Sequence, residues 1–220
     1  ITVEDPVEFY IPGINQVNVN ERAGLTFDNA LRSILRQDPD IVSVGEIRDG
    51  ETAEIAMRAA LTGRFVMSTI HTNDALGAVE RLEDIGIEPY LISSTLRGVI
   101  SQRLVRRVCP YCGEDYHPQR DEQERLGLEF DPDRIFKFGK GCQNCFNTGY
   151  SGRIAVFEIL QITPAVRDLI YRGASRSEIE LELKKPDSEF VSLAENALTL
   201  VKDGVTTPME VLRIINEVDL

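Results

Sequence analysis

An α/β fold with a doubly wound parallel sheet is predicted by three features of the sequence. Residues 41–44 (Ile-Val-Ser-Val) and 65–70 are short apolar runs, rich in β-branched side chains and too short for helices, as expected of strands buried on both faces. Amphipathic helical patterns separate them, so helix and strand alternate along the chain. Each run is followed at once by a chemically capable residue, Glu46 or His71, at the carboxyl edge where open α/β sheets bind their ligands.

Taken in order, Ile1-Thr2-Val3 is a strand that ends in Glu4-Asp5-Pro6, so the sequence is expected to open inside a domain with a segment before it. Residues 9–20 are predicted to form a hairpin turning at Pro12-Gly13, with Ile14, Val17 and Val19 as its apolar members. Thr26 can cap a helix whose apolar residues Phe27, Ala30, Leu31, Ile34 and Leu35 recur every three or four positions until Asp38-Pro39 stops it. After Glu46, the Ala-rich residues 51–61 read as a helix closed by Gly63. Residues 65–70 then deliver His71, and Thr72-Asn73-Asp74 offer a cap for a helix striped by Ala75, Val79, Leu82 and Ile85 and ended by Gly86. Pro89 is expected to open a longer helix through Ile92, Leu96, Val99, Ile100 and Leu104, reaching the first cysteine pair. Residues 121–125 read as charged helix surface and Phe130-Asp131-Pro132 as a turn. Residues 149–160 are turn and strand, with Ile154, Val156 and Phe157 apolar. Three short helices close the chain, with caps at Thr163-Pro164, Ser175 with Glu178, and Thr207-Pro208 with Glu210, the last two as capping boxes. Their stripes, Val166, Leu169 and Ile170 and then Val211, Leu212, Ile214 and Ile215, suit a core or a neighbouring subunit, and Lys184-Lys185-Pro186-Asp187 suits an exposed loop.

Composition limits the function classes. With 220 residues, 42% of them hydrophobic, the chain can bury a sizeable core. A net charge of −12 argues against direct nucleic-acid binding as its main role, because such proteins usually carry an excess of Lys and Arg. No apolar run reaches the length of a membrane span and the N-terminus lacks a signal-peptide pattern, so a cytoplasmic location is expected.

Three strand ends carry the first chemical signal. Glu4 with Asp5, Glu46 and His71 each lie at or just past a predicted strand, and in a parallel sheet such ends share one rim. A carboxylate there can hold the water shell of Mg²⁺ or polarise an attacking water. Taken singly, each has a plain structural reading: Glu46 as the start of the next helix, His71 as a structural histidine, Glu4-Asp5 as a turn. Convergence of all three is what favours chemistry.

The second signal is a pair of knuckles, Cys109-Pro-Tyr-Cys112 and Cys142-Gln-Asn-Cys145, which together can complete a tetrahedral Zn²⁺ shell with no open position. Disulfides or free buried thiols are the competing reading, and His117 is a spare candidate ligand. A structural zinc would anchor the polar stretch between the knuckles, since ligation energy becomes folding energy.

These motifs carry a resemblance. ITVEDPVEF, LRQDPDIVSVGEIRD and STIHTNDA are similar to the aspartate, Walker B and histidine boxes of the secretion ATPase superfamily, within it the type II secretion and type IV pilus assembly ATPases. GIEPYLISS, QRLVRRVCPYC and GCQNCFNTGYSGR resemble the same family in order and spacing, so the likeness covers nearly the whole chain. It implies a partial RecA-like core over residues 1–107, a tetracysteine zinc subdomain over 108–148 and a small, mainly helical subdomain over 149–220. It implies ATP and Mg²⁺ as ligands, with Glu4 activating water, Asp5 supporting it, Glu46 acting on the Mg²⁺ side and His71 contacting the γ-phosphate. Arg32, Arg36 and Arg48 would lie near the nucleotide or a subunit boundary, with solvated helix faces or salt bridges as the alternative. A homo-hexamer on the inner face of the cell membrane, working with an inner-membrane platform protein, is implied too. Retraction motors generally lack the tetracysteine unit, which points to the assembly or secretion branch.

One departure stands out. The phosphate-gripping loop G-x-x-x-x-G-K-S/T does not occur in these 220 residues, and the only Gly-Lys, Gly139-Lys140, lacks the partner glycine and the hydroxyl. Family order sets that loop ahead of ITVED, so the chain is expected to be the C-terminal portion of a longer ATPase, inactive alone. The alternative is a non-catalytic, zinc-stabilised interaction module or an inactive truncated homologue.

Overall fold

The computed structural model describes residues 1–218, with side chains to residue 215. In chain order the elements are β1 (Thr2–Glu4), β2 (Gln16–Asn18), α1 (Phe27–Leu35), β3 (Ile41–Val44), α2 (Gly50–Leu61), β4 (Phe65–Ser68), α3 (Ala75–Asp84), α4 (Pro89–Thr95) and β5 (Gly98–Val108). There follow β6 (Gly113–Tyr116), α5 (Arg120–Arg125), β7 (Phe136–Gly139), β8 (Tyr150–Gln161), α6 (Pro164–Tyr171), α7 (Arg176–Leu183), α8 (Leu193–Lys202) and α9 (Pro208–Val218). The chain gathers into two compact units. One holds residues 1–72, 76–99 and 161–188, and the other holds 73–75, 100–160 and the chain from 189 on.

The first unit is built on a four-stranded sheet of order β2-β1-β3-β4 with every pairing parallel. Val3, Val42 and Val44 are buried in it, against Ala30, Leu31 and Ile34 of α1 and Ile55 and Ala56 of α2. The spacing of those α1 residues puts them on one face, and the Thr26 hydroxyl caps the helix by accepting the Asn29 N–H. Burying a side chain of Leu31's size contributes roughly 2 kcal/mol.

The expected hairpin is not formed. Residues 5–15 make a wider excursion with a turn at Pro12-Gly13, and Thr2 N–H donates to the Asn15 carbonyl, so β2 restarts beside the beginning of β1 and runs parallel to it with Thr2 opposite Gln16. A tight turn inside a longer loop does not decide strand direction; the loop's total path does.

The long helix expected from Pro89 stops at Thr95. From Gly98 the backbone is extended as β5, which pairs with β8. Val99, Ile100 and Leu104 fit helical spacing, yet the stretch is also rich in β-branched residues, and pairing with a partner strand overrides the local pattern.

The second unit packs Val105, Phe136, Val156, Leu193, Ala197, Val201, Val211 and Ile214 into one core. A fourth C-terminal helix, α8, is present where three were expected. Its stripe Leu193, Ala197, Val201 and its capping box, Ser192 with Glu195, were both legible in the sequence. The box expected at Thr207 and Glu210 is replaced by other bonds. Thr207 Oγ1 pairs with the Tyr150 hydroxyl at 2.9 Å, and the buried Glu210 carboxylate accepts from the Arg106 backbone N–H (2.8 Å) and guanidinium (2.8 and 3.0 Å). Arg106 also lies over the Tyr150 ring at 4.1 Å.

Burial alone would raise the Glu210 pKa, but the Arg106 bonds outweigh it and hold the carboxyl below the usual range. A depressed folded-state pKa gives stability that is present above the unfolded value and lost as pH falls through the folded one. Urea titrations across acid pH should therefore show Glu210→Gln with a shallower loss of stability than the wild type. At pH 7, Glu210→Gln should destabilise the chain by about 1.5–3 kcal/mol, the range for hydrogen bonds to a charged group, because the Arg106 side chain is partly open to water.

Candidate functional site

The rim of the first unit's sheet is shaped by a close approach. Gly45 N–H donates to the Val3 carbonyl at 2.7 Å, and a Cβ on Gly45 would stand 3.0 Å from that oxygen and 3.3 Å from Glu4 Cα. Glycine thus lets the ends of β1 and β3 lie side by side at the residues that bear the acids. The next strand is drawn in by Ile47 N–H donating to the Thr69 carbonyl (2.9 Å) and by Thr69 Oγ1 donating to the Gly45 carbonyl (2.7 Å). Helix α2 starts only at Gly50, capped by the Asp49 side chain, so Glu46 stands in the turn before it.

Side chains from three strand ends are linked along this rim. Arg48 reaches the Asp5 carboxylate at 4.0 Å, beyond β1, and Glu46 at 2.5 Å, beyond β3. The other Glu46 oxygen lies 3.2 Å from His71 Nε2, beyond β4. The His71 side chain is 90% exposed and Glu46 only 18%, so the imidazole is open to a ligand while the carboxylate is held from below. The Arg48 hydrogen bond is the main reason that the Glu46 pKa is lowered, and His71 adds to it.

Glu4 sits at the end of β1 with its own partners. Its carboxylate accepts from Thr2 Oγ1 at 2.5 Å and from Gln16 Nε2 at 2.9 Å, and these two bonds, Thr2 first, lower its pKa. Gln16 also donates to the Phe9 carbonyl and accepts the Ile11 N–H, which ties the exposed loop to Glu4. Arg32, on α1, is paired at the surface with Glu51 in the first turn of α2 (2.9 Å). Arg36 ends α1 and bonds Ser33 of its own helix at 3.1 Å, so it stands outside the linked group.

In the second unit the four cysteines come together, with all Sγ atoms within 4.8 Å of one another. Cys109 to Cys142 is 3.9 Å, Cys112 to Cys145 3.8 Å and Cys142 to Cys145 3.7 Å. A tetrahedron of thiolates around a metal with bonds of about 2.3 Å has edges of about 3.8 Å, whereas a disulfide needs about 2.05 Å. The donor set fits a structural four-thiolate metal centre. Burial pushes the Cys112 thiol up to about 12; for Cys145 the N–H groups of Cys142 and Gly149 overcome burial and bring it down to about 6. His117 is exposed, with Nδ1 3.1 Å from the Arg134 carbonyl, and does not belong to the group. Backbones crowd beside the centre: a Cβ on Gly139 would stand 1.9 Å from the Gly149 carbonyl oxygen, so neither β7 nor the chain leaving Cys145 tolerates a side chain there.

Sequence reasoning passed over Glu158, buried among apolar neighbours in β8. Strand parity was the available signal, because Val156, Glu158 and Leu160 share the inward face while Phe157 and Ile159 point outward.

A parallel α/β core with an acid, guanidinium and imidazole rim, joined in one chain to a four-cysteine centre, defines a narrow class of protein. The chain belongs to the family described as "Type II/IV secretion system protein", which it matches over residues 1–213. It is 50% identical over 214 residues to the type IV pilus assembly ATPase PilB of Thermus thermophilus, covering 96% of this chain and 24% of that protein. To the type II secretion system ATPase E of Vibrio cholerae it is 46% identical over 217 residues, 99% of this chain and 42% of that protein. The chain thus spans less than half the length of these relatives. Among solved structures it is similar to the pilus retraction motor PilT with bound ADP, at a TM-score of 0.68 and 28% identity, covering 97% of this chain and 51% of that one. No helix among the described residues is long and apolar enough to cross a membrane.

If Arg48 sets the charge state of Glu46, removing it should be visible directly. In Arg48→Ala, the carboxyl carbon resonance of Glu46 should titrate at a higher pH than in the wild type, moving toward the ordinary value of about 4.3. Glu4, whose shift comes from Thr2 and Gln16, should keep its midpoint.

Proposed function

We propose that this chain supplies the hydrolytic side of the nucleotide site in an ATPase that couples ATP hydrolysis to type IV pilus assembly or type II protein secretion. The observation that carries this reading is the linked set Asp5, Arg48, Glu46 and His71 across three parallel strand ends, in a chain of this family. In this reading Glu4 is the general base toward water, a role open to a carboxylate at a strand end, and Asp5, the next residue, supports it. Glu46, kept ionised by Arg48, acts on the Mg²⁺ that accompanies ATP through coordinated water. His71, exposed and bonded to Glu46, contacts the γ-phosphate. Arg32, Arg36 and Arg48 neutralise phosphate charge at the nucleotide or at a subunit boundary. The working assembly is a homo-hexamer, peripheral on the cytoplasmic face of the inner membrane and engaged with a platform protein there.

The residues fit one half of a nucleotide site. The phosphate-gripping loop is not in this sequence, and Lys140 of the only Gly-Lys is ion-paired with Glu114. Negligible ATP hydrolysis is therefore expected of the 220-residue chain by phosphate release. In a full-length relative bearing both the loop and these residues, the equivalent of Glu46→Gln should lower kcat by at least about a hundredfold, the range set by removing one transition-state contact. Robust turnover by the 220-residue chain alone would overturn the division of labour.

The four thiolates hold zinc, which stabilises the surrounding backbone and takes no part in hydrolysis. Purified chain should contain about one zinc per molecule, the loading of a single four-thiolate site. Chelation should abolish amide protection between residues 109 and 149 while β1 to β4 keep theirs. Loss of protection throughout both units would contradict a local structural role.

A further inference from the structure

We infer that Gln16 is a positioning residue for Glu4: together with Thr2 it grips one oxygen of the carboxylate and leaves the other to act on water. All three residues lie in the first unit, on the neighbouring parallel strands β1 and β2. Thr2 stands opposite Gln16 in the register, and Thr2 and Glu4, two residues apart on one strand, share a face. Thr2 Oγ1 and Gln16 Nε2 therefore reach the same atom, Glu4 Oε1, at 2.5 and 2.9 Å. Among the described residues no hydrogen bond is made to the second oxygen, Oε2.

A carboxamide has a donor end and an acceptor end, and at Gln16 the loop after β1 decides which of them faces Glu4. The Ile11 N–H donates to Gln16 Oε1 at 2.7 Å, and Gln16 Nε2 also donates to the Phe9 carbonyl at 3.0 Å. A turned amide would lose both loop bonds and set its oxygen against the carboxylate. Two residues on, Asn18 Oδ1 accepts the Val7 N–H at 2.7 Å, so the loop hangs on two side chains of β2 and does not depend on Gln16 alone.

These bonds do not strengthen the base. Donors on an ionised carboxylate lower its pKa, here Thr2 first and Gln16 second, and a lower pKa makes a weaker proton acceptor. What they supply is aim. A general base acts within about 2.6–3.2 Å of the proton it takes, and a Glu side chain left to all its rotamers spends little of its time there. Holding the carboxylate by one oxygen fixes the side chain and keeps the lone pairs of the other for that proton. This rests on the proposed function only for what Glu4 does once held; the grip itself stands on the contacts.

Two variants of the 220-residue chain, without nucleotide, test the grip. Gln16→Met keeps the side-chain length and removes every polar contact. Gln16→Glu leaves the Ile11 N–H its acceptor, withdraws both donors and sets a like charge beside Glu4, and it decides the matter if Gln16→Met does not fold. In both, the Glu4 carboxyl carbon should titrate at a higher pH than in the wild type, furthest in Gln16→Glu, while Glu46, held by Arg48, keeps its midpoint. The three-bond couplings of the Glu4 side chain should change from those of one rotamer to averaged values. Catalysis is read in a full-length relative with Glu and Gln at the equivalent positions. There the equivalent of Gln16→Met should lower kcat by about tenfold, a share of what a general base contributes, with KM for ATP unchanged and although the base is now stronger. It should add nothing to the loss caused by the equivalent of Glu4→Gln. Glu4 couplings and midpoint unmoved in a folded variant, or the same loss of kcat with and without Glu4→Gln, would overturn the assignment. Full activity of the Glu4→Gln relative would instead overturn the proposed role of Glu4 as base and leave the grip, read in the 220-residue chain, standing.

Discussion

The close approach of β1 and β3 at Gly45 is the constraint on which the candidate site depends. Backbone oxygen and Cα of the neighbouring strand stand where a Cβ would be, so glycine alone lets the ends of the two strands converge. Once they do, Arg48 spans from Asp5 to Glu46 and the third strand end brings His71 to the other Glu46 oxygen. The parallel direction of the sheet puts all these groups on one edge, while α1 and α2 pack against its buried strands.

The second unit solves a different problem. Its polar, loop-rich stretch has little apolar area of its own, and it is held by several buried polar anchors. Four thiols converge at metal-ligand spacing, Gln123 is fully buried with bonds to the Pro118 and Asp131 carbonyls and the Asp131 N–H, and Glu210 pairs with Arg106. Each group satisfies donors or acceptors that would be costly to leave alone, which is how a segment with so many charges keeps a unique fold.

Legibility of the fold followed the range of the interactions involved. Helix α1 was readable because its cap and its stripe lie within ten residues, and the apolar stripes of α2 and α3 are as local. Strand β5 was misread as helix because Val99, Ile100 and Leu104 satisfy either period, and its true partner lies about fifty residues away in β8. The direction of β2 was misread because a Pro-Gly turn is local while the path of residues 5–15 is not. Helix α8 carries equally local signals, its capping box at Ser192 and Glu195 and its stripe of Leu193, Ala197 and Val201. Glu210 illustrates the converse: its local position suits a capping box, yet Arg106, far away in sequence, takes the carboxylate.

By itself the sequence determined the chemistry on offer: which residues are acids, imidazoles and thiols, how they are spaced, and that Glu46 and His71 follow buried strands. Those properties are set by residue identity and by neighbours within a turn or two. Only the tertiary structure decided which of these groups meet. It joined Asp5, Arg48, Glu46 and His71, gave Glu4 to Thr2 and Gln16, left Arg36 with its own helix and placed Glu158 under two helix starts. The physical reason is that a side-chain contact needs two backbones brought within a few ångströms of each other. Strand order, register and the room left by a missing Cβ set that distance, and none of them is a local property of the chain.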